Sequence, residues 1–376
     1  MRFEDLVGQE RAIAVLRNAL RRDRVAHAYL FSGPESVGKS TAALIFAAAL
    51  DCEAAQDSRP CGECRSCQLI ARGNHPDVRL IAPAAGKSVI PIQEMRESFV
   101  YDVSLKPILG RYKVYLLDHI ERTAFLAMHT ILKALEEPPP NVVTILVTDY
   151  PEGLPPTIPS RCQKVTFQLA GTDAIAGKLA QLGLDETSAL ALARLSGGRV
   201  AWAMRAAQRP EVLAARRALL DLCAEMQSRG LPASLRIADE IKAQAGQLVR
   251  KGDAGNDDDA SPDDPAEAST EPSFDSDRAL RVGRRLRVGR RLRAELPWCL
   301  DVMVSWYRDL LAVGEGSPLM NPDYEQALHA RLGGDLPHQA ECAIEDILEA
   351  KHAVQRNANI DVALEALVIG LVGGCD

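Results

Sequence analysis

Two stretches of this chain have residue types and spacings suited to nucleotide chemistry. Gly33-Pro34-Glu35-Ser36-Val37-Gly38-Lys39-Ser40 is a complete phosphate-binding loop, and Val114-Tyr115-Leu116-Leu117-Asp118-His119 is a second nucleotide-type motif downstream. Gly33 and Gly38 permit backbone conformations in which successive amide N–H groups surround phosphates, reinforced by the positive end of the helix that follows. In that arrangement Lys39 bridges the β- and γ-phosphates and Ser40 gives its hydroxyl to magnesium. Asp118, ending an apolar strand, acts on the same ion directly or through water. A glycine-rich turn without a ligand is the alternative, and the strand, loop and helix order around the motif argues against it.

Hydrolysis demands more, because a water must be oriented or deprotonated for attack, commonly by a glutamate directly after the metal-binding aspartate. His119 stands there instead. Beside magnesium and phosphate, the metal affinity and cationic form of an imidazole make it a poor substitute. Glu121 lies two residues further on, where helical geometry after the strand is expected to turn it elsewhere. These residues predict ATP–magnesium binding with little or no turnover by the chain itself.

Four of the nine cysteines, Cys52, Cys61, Cys64 and Cys67, fall within sixteen positions as C-x8-C-x2-C-x2-C. The short C-x2-C steps let thiolates converge on one tetrahedral ion at ~2.3 Å, which makes zinc the natural occupant. An iron–sulfur cluster fits less well, because the fourth cysteine lies upstream rather than in a C-x3-C-P tail. Four thiolates leave no open coordination position, so the expected role is structural. Four reduced, unpaired thiols are the remaining possibility. Cys162, Cys223, Cys299, Cys342 and Cys375 are scattered and are assigned no chemistry.

The elements that must position these groups alternate short apolar strands with amphipathic helices, as a parallel sheet covered on both faces requires. The expected strands are Ala28 to Ser32, Val78 to Ile81, Lys113 to Asp118, Val142 to Thr148 and Gln163 to Phe167, with a helix from Lys39 to Leu50. Each motif then sits at the C-terminal end of a strand, where open parallel sheets bind ligands. From about Gln168 helical spacing takes over. Ile344, Ile347 and Leu348, then Ile360, Leu364, Leu367 and Leu371, recur at three and four residues, as a core-facing helix requires. Trp298 and Trp306 are expected in that helical core.

Val7-Gly8-Gln9, His27-Ala28-Tyr29-Leu30-Phe31, the cysteine cluster, His75-Pro76-Asp77, Leu132-Lys133-Ala134-Leu135-Glu136-Glu137-Pro138-Pro139 and Leu154-Pro155-Pro156-Thr157-Ile158-Pro159-Ser160-Arg161-Cys162 occur in that order. Together they resemble the AAA+ clamp-loader subunits of bacterial DNA polymerase III along essentially the whole chain. The resemblance implies an α/β fold followed by all-α structure: an AAA+ domain over 1–168 with a zinc module inserted at 52–67, a helical lid over 169–208 and a helical collar over 209–376. It implies that Arg161 is presented to the nucleotide of a neighbouring subunit, where such arginine fingers contribute on the order of 10³-fold or more. Thr148 resembles the residue that senses the γ-phosphate, and Arg199 in Ser196-Gly197-Gly198-Arg199 resembles the lid arginine. Lys87 to Arg96, Asn357 to Leu367 and His119 resemble the delta-prime type of subunit rather than the gamma/tau motor. The implied partners are gamma/tau and delta subunits in a ring, with the sliding clamp and primed DNA reached through the assembly. A gamma/tau-type motor, or a zinc-stabilised nucleotide-sensing adaptor outside replication, are the alternatives.

The 376 residues, 47% hydrophobic and 25% charged, are an ordinary globular mixture long enough for two or three cores. The longest apolar stretches fall short of the ~20 residues a membrane span needs, and no secretory pattern follows Met1, so no membrane and a cytoplasmic setting are expected. A net charge of −7 argues against a main DNA-gripping surface, and the constellation of carboxylates for nucleotidyl transfer is missing. Gly252 to Asp277 holds ten acids and no basic residue, which predicts a disordered insertion over about 251–278. Arg278 to Arg293 follows with eight arginines and a tandem Arg-Val-Gly-Arg-Arg-Leu repeat. It is read as a solvated helix start, with a phosphate contact or a partner for the acidic stretch as the alternatives.

Overall fold

The computed structural model describes residues 1–83, 89–95, 98–99, 101–103, 105–252, 276–331, 336–356 and 358–373. Most of the acidic insertion, Lys87, Ser88, Arg96, Asn357 and Cys375 therefore lie outside the described residues. The chain forms two compact units, Met1–Gly183 with Ser196–Met204, and Leu184–Leu195 with Arg205–Asp376.

The first unit is built on five strands, β1 (Ala28–Ser32), β2 (Val78–Ile81), β3 (Lys113–Leu117), β4 (Val142–Thr148) and β5 (Gln163–Thr166). All pair in parallel, in the order β2-β3-β4-β1-β5. β3 and β5 each end one residue earlier than the apolar runs suggest. The chain still follows the sheet there, since Asp118 N–H donates to Ile81 O (2.8 Å) and Phe167 N–H to Ser32 O (2.8 Å). The central strands are buried on both faces, so they read as continuous apolar runs. Their alternation divides the core. Tyr29, Phe31, Val114 and Leu116 pack with α1 (Glu10–Arg21) and α2 (Lys39–Leu50), whereas Ala28, Leu30, Tyr115 and Leu117 face the layer containing Ile131 and Leu135. Further α-helices of this unit among the described residues are α3 (Arg65–Ala71), α4 (Ile92–Met95), α5 (Phe125–Glu136) and α6 (Thr172–Gln181).

Two of the motifs quoted above prove to be structural ties. Gln9 is buried and its amide donates to Gln168 O (2.7 Å) and accepts from Gln168 N–H (3.1 Å), fastening the N-terminal segment to the end of β5. Gly8 cannot be larger, because it has φ +69° and a Cβ there would lie 2.6 Å from the Ala170 methyl. The fully buried Asp77 carboxylate accepts the N–H groups of Ile108 (2.7 Å), Leu109 (2.7 Å) and Gly110 (2.8 Å), anchoring the loop before β3. Burial pushes its carboxyl upward, and the three N–H groups outweigh that and hold it below the ordinary value.

The second unit contains α7 (Glu186–Leu195), then, after α8 (Val200–Ala207), which begins in the first unit, α9 (Pro210–Arg229), α10 (Ser234–Gly252), α11 (Ser276–Gly314), α12 (Glu325–His329), α13 (Leu336–Gln355) and α14 (Ile360–Gly373). The arginine repeat lies on the backbone of α11, and its side chains up to Arg291 are outside the described residues. α14 buries Ile360, Leu364, Leu367 and Leu371 as the spacing predicts. On α13 the expectation needs correcting. Ile347 is buried, but Leu348, one residue and 100° around the helix, is exposed, and Ile344 is only half-buried. The inward stripe is Ala340, Ala343, Ile347, Ala350 and Val354, whose alanines a search for large apolar residues overlooks. Trp306 is buried and Trp298 half-buried.

The same unit holds a buried polar network. Arg216 donates to both Asp323 oxygens (2.7 Å each) and to Asn321 Oδ1 (2.7 Å), while buried Asp309 accepts from the N–H groups of Met320 and Asn321 (2.6 Å each). No described helix is long and apolar enough to cross a membrane.

Candidate functional site

β1 delivers the chain directly into the phosphate loop, and α2 begins at Lys39. The loop is forced by its glycines: Gly33 has φ +149° with Phe167 O where a Cβ would be (2.4 Å), and Gly38 has φ +101°. Ser36 is also left-handed, at φ 60°. Val37 is buried and anchors the loop, whereas Pro34 and Glu35 are exposed. The N–H of Ala201, in the first turn of α8, donates to Ser36 O (2.8 Å). This bond brings the backbone beside Arg199 against the phosphate loop, with the Arg199 side chain exposed.

Lys39, Ser40, Asp118 and Thr148 come together at the C-terminal ends of β1, β3 and β4. Ser40 Oγ donates to Asp118 Oδ2 (2.8 Å), which are the hydroxyl and carboxylate a divalent ion beside a phosphate would use. Lys39 is buried, and its ammonium donates to Asp149 Oδ1 (2.6 Å), Gly33 O (2.9 Å) and Pro34 O (2.5 Å). Asp149 was not singled out by sequence reasoning. The available signal was its place directly after a strand that ends beside the other motif strands.

Glu121 also departs from expectation, because it is turned into the site rather than away from it. His119 adopts a left-handed conformation (φ 52°) and starts a short 3₁₀ turn, Ile120–Arg122, in place of a regular helix. The reversal leaves Glu121 Oε2 accepting from Thr148 Oγ1 (2.7 Å), with Oε1 3.3 Å from His119 Nδ1. A carboxylate therefore does stand beside Thr148, delivered from a position two residues later than the usual one.

Arg161 is partly exposed and sits apart from this group. Its guanidinium pairs with Glu136 Oε1 (3.0 Å) and donates to Thr157 O (3.1 Å), contacts an exposed pair can relinquish at small cost.

The four cysteines converge from the end of α2 and the start of α3. Their sulfurs lie within 4.8 Å of one another, and Cys52 and Cys64 are 4.0 Å apart. Four thiolates about 2.3 Å from a tetrahedral ion sit about 3.8 Å apart, so the donor set fits a metal ion of that size. Cys61 Sγ accepts from the N–H groups of Glu63 (3.4 Å) and Cys64 (3.3 Å), which bring its thiol down to about 7. Burial raises Cys52 and Cys67. The cluster packs on Ala48 and Ile70, tying the module to the helix that carries Lys39.

A phosphate loop after the first strand of a parallel sheet ordered β5-β1-β4-β3-β2, with Asp118 directly after β3 and Thr148 closing β4, defines an AAA+ P-loop module. Residues 8–170 match the family model described as DNA polymerase III, delta subunit. DNA polymerase III subunit delta' of Bacillus subtilis is 33% identical over 234 residues, covering 62% of this chain and 69% of that protein. The chain belongs to the DNA polymerase III clamp-loader subunit family. DNA polymerase III subunit tau of Bacillus subtilis is 40% identical over 203 residues, covering 52% of this chain and 35% of its own length. The Haemophilus influenzae tau/gamma subunit is 42% identical over 171 residues, covering 46% of this chain and 24% of its own. The chain thus spans about a third or less of the length of these tau-type relatives.

Proposed function

We propose that this chain is a delta-prime-type subunit of a bacterial clamp loader. In this reading it completes a ring with gamma/tau and delta subunits in the cytoplasm and helps place the sliding clamp on primed DNA. The observation that carries the reading is the delta' match, which spans more than two thirds of that relative. The phosphate loop from Gly33 to Ser40 binds ATP, Ser40 and Asp118 hold its magnesium, Thr148 senses the γ-phosphate and Arg199 closes over it. Cys52, Cys61, Cys64 and Cys67 hold a structural zinc. Own turnover is low, because His119 stands at the usual water-orienting position and Lys39 is held by a carboxylate of its own chain. Arg161 exchanges Glu136 for a neighbour's γ-phosphate, where a guanidinium stabilises charge spreading over the transferring group.

Reconstitution of the ring tests this directly. Arg161→Ala should leave assembly intact and lower DNA-stimulated ATP turnover of the complex by about tenfold or more. Unchanged turnover would remove the finger, and failure to enter any such ring would remove the subunit assignment. The Glu121 carboxylate beside Thr148 favours a second reading, a gamma/tau-type motor that turns over its own ATP. Robust hydrolysis by the isolated chain, lost in Lys39→Ala, decides for it.

A further inference from the structure

Three side chains beside Lys39 form a group to which the nucleotide reading assigns no metal ion. His119 Nδ1 lies 3.3 Å from Glu121 Oε1 and 3.3 Å from Asp149 Oδ2, and the three ligand atoms all fall within 4.8 Å of one another. A four-coordinate ion with bonds of about 2.0–2.1 Å holds its ligands about 3.3–3.4 Å apart, so both separations to the imidazole match the edge of such a polyhedron. None of the three is buried beyond reach, with exposures of 31%, 15% and 24%.

The second oxygen of each carboxylate is already held by a group outside the trio. Glu121 Oε2 accepts from Thr148 Oγ1 at 2.7 Å, and Asp149 Oδ1 accepts from Lys39 Nζ at 2.6 Å. Metal-binding carboxylates are oriented in this way, one oxygen fixed by an outer partner and the other aimed at the ion. The imidazole adds a constraint of its own. A bare lone pair on Nδ1 facing two anionic oxygens is repelled by both, so the place between the three atoms is filled either by a proton on Nδ1 or by a cation that takes the place of that proton. A divalent cation between the three atoms satisfies the lone pair and both carboxylates at once.

We propose that His119, Glu121 and Asp149 form a binding site for a first-row divalent transition ion. Its ligands are distinct from those of the four-cysteine cluster and of the Ser40–Asp118 pair, although the His119 N–H donates to Asp118 Oδ1 (3.1 Å). The imidazole suits zinc and the two carboxylates suit the harder manganese, with the remaining positions left to water. The proposal does not rest on the clamp-loader reading, since it needs only these ligands in the nucleotide-free chain.

Manganese is the probe, because it prefers nitrogen and oxygen donors and leaves a zinc-filled thiolate cluster alone. Full-length chain carrying one equivalent of zinc, which the four thiolates take first, is titrated without nucleotide with Mn²⁺ and followed by electron paramagnetic resonance. The expected result is one bound ion per chain whose spin echo is modulated by an imidazole nitrogen. Affinity should fall by about tenfold or more in His119→Ala and in Glu121→Gln. Binding that survives His119→Ala unchanged, or that is lost only in Asp118→Asn, would overturn the proposal. So would absence of nitrogen modulation in the unsubstituted chain, a readout that holds even if a variant misfolds.

Discussion

Nucleotide binding at this phosphate loop must draw Lys39 away from Asp149, and that competition can be measured. The Lys39 side chain is 4% exposed and that of Asp149 24% exposed, with ammonium and carboxylate 2.6 Å apart and Gly33 O and Pro34 O as the other two acceptors. Asp149→Asn keeps the volume and one oxygen but removes the charge. A hydrogen bond with an ionised partner contributes about 1.5–3 kcal/mol; the amide oxygen in Asp149→Asn keeps a bond to the charged ammonium but loses the ion-pair attraction, so the substitution weakens the hold on Lys39 by about 1–1.5 kcal/mol, the difference between the top and the bottom of that range. That difference is roughly five- to tenfold in affinity. Removing a negative charge beside a triphosphate acts in the same direction. Titration of the isolated chain with a fluorescent ATP analogue at fixed magnesium should therefore show roughly tenfold tighter binding for Asp149→Asn, and loss of binding when Lys39→Ala is added. Unchanged or weaker binding would refute the competition and would make Asp149 a contributor to the nucleotide-bound state.

Purified chain dialysed against a weak chelator should retain one zinc per molecule by elemental analysis, because four thiolates hold it more tightly than one imidazole and two carboxylates, and Cys64→Ser should lose it with a clear drop in melting temperature; dialysed protein that is metal-free and melts like the variant would remove the structural zinc. Asp77→Ala should cost about 3 kcal/mol or more in urea denaturation, because three N–H groups lose a charged acceptor. Because the folded Asp77 carboxyl is depressed below 3.8, its contribution is complete above that value and lost as pH falls through the lower folded value. The acid-side loss of stability should therefore be shallower in Asp77→Asn than in the unsubstituted chain, and identical acid profiles would count against the anchor. Arg216→Ala should destabilise the helical unit by about 1–3 kcal/mol, since it leaves buried Asn321 Oδ1 without its donor while the partly exposed Asp323 carboxylate turns to water; a loss under about 0.5 kcal/mol would mean water replaces the guanidinium at Asn321 as well.

Much of the fold was legible because its signals are local. Five apolar runs, each the length of a strand and separated by helical periods, place β1 to β5 to within a residue, and the C-x2-C steps bring four sulfurs together because short loops restrict where they can go. The inward face of α13 was only partly legible, since three of its five buried positions are alanines that carry little hydropathy signal. Asp77 was visible only as part of a resemblance. Its role depends on a loop more than thirty residues away folding over its carboxylate, and no periodicity encodes such a meeting.

The meeting of the site's side chains was legible in the sequence, whereas their wiring was not. Lys39, Ser40 and Asp118 are placed by motif geometry, because the glycines, the strand end and the helix start leave the backbone few alternatives. Glu121 depends instead on one backbone torsion. If the chain continued helically from Asp118, positions 119 and 121 would point about 200° apart and could not share a site. The left-handed conformation of His119 breaks that regular progression, and Glu121 reaches Thr148 while its other oxygen faces the imidazole. A left-handed histidine is uncommon but sterically tolerated, and nothing in residue type alone announces it. The residue that makes this chain look deficient in the usual carboxylate is thus the same residue whose conformation brings another carboxylate in. Substitution of His119 must therefore be read as a change in backbone freedom as well as in side-chain chemistry: His119→Gly, which accepts the same φ, should leave Glu121 near Thr148, whereas a β-branched residue such as His119→Val should drive the turn out of the left-handed region and take Glu121 with it.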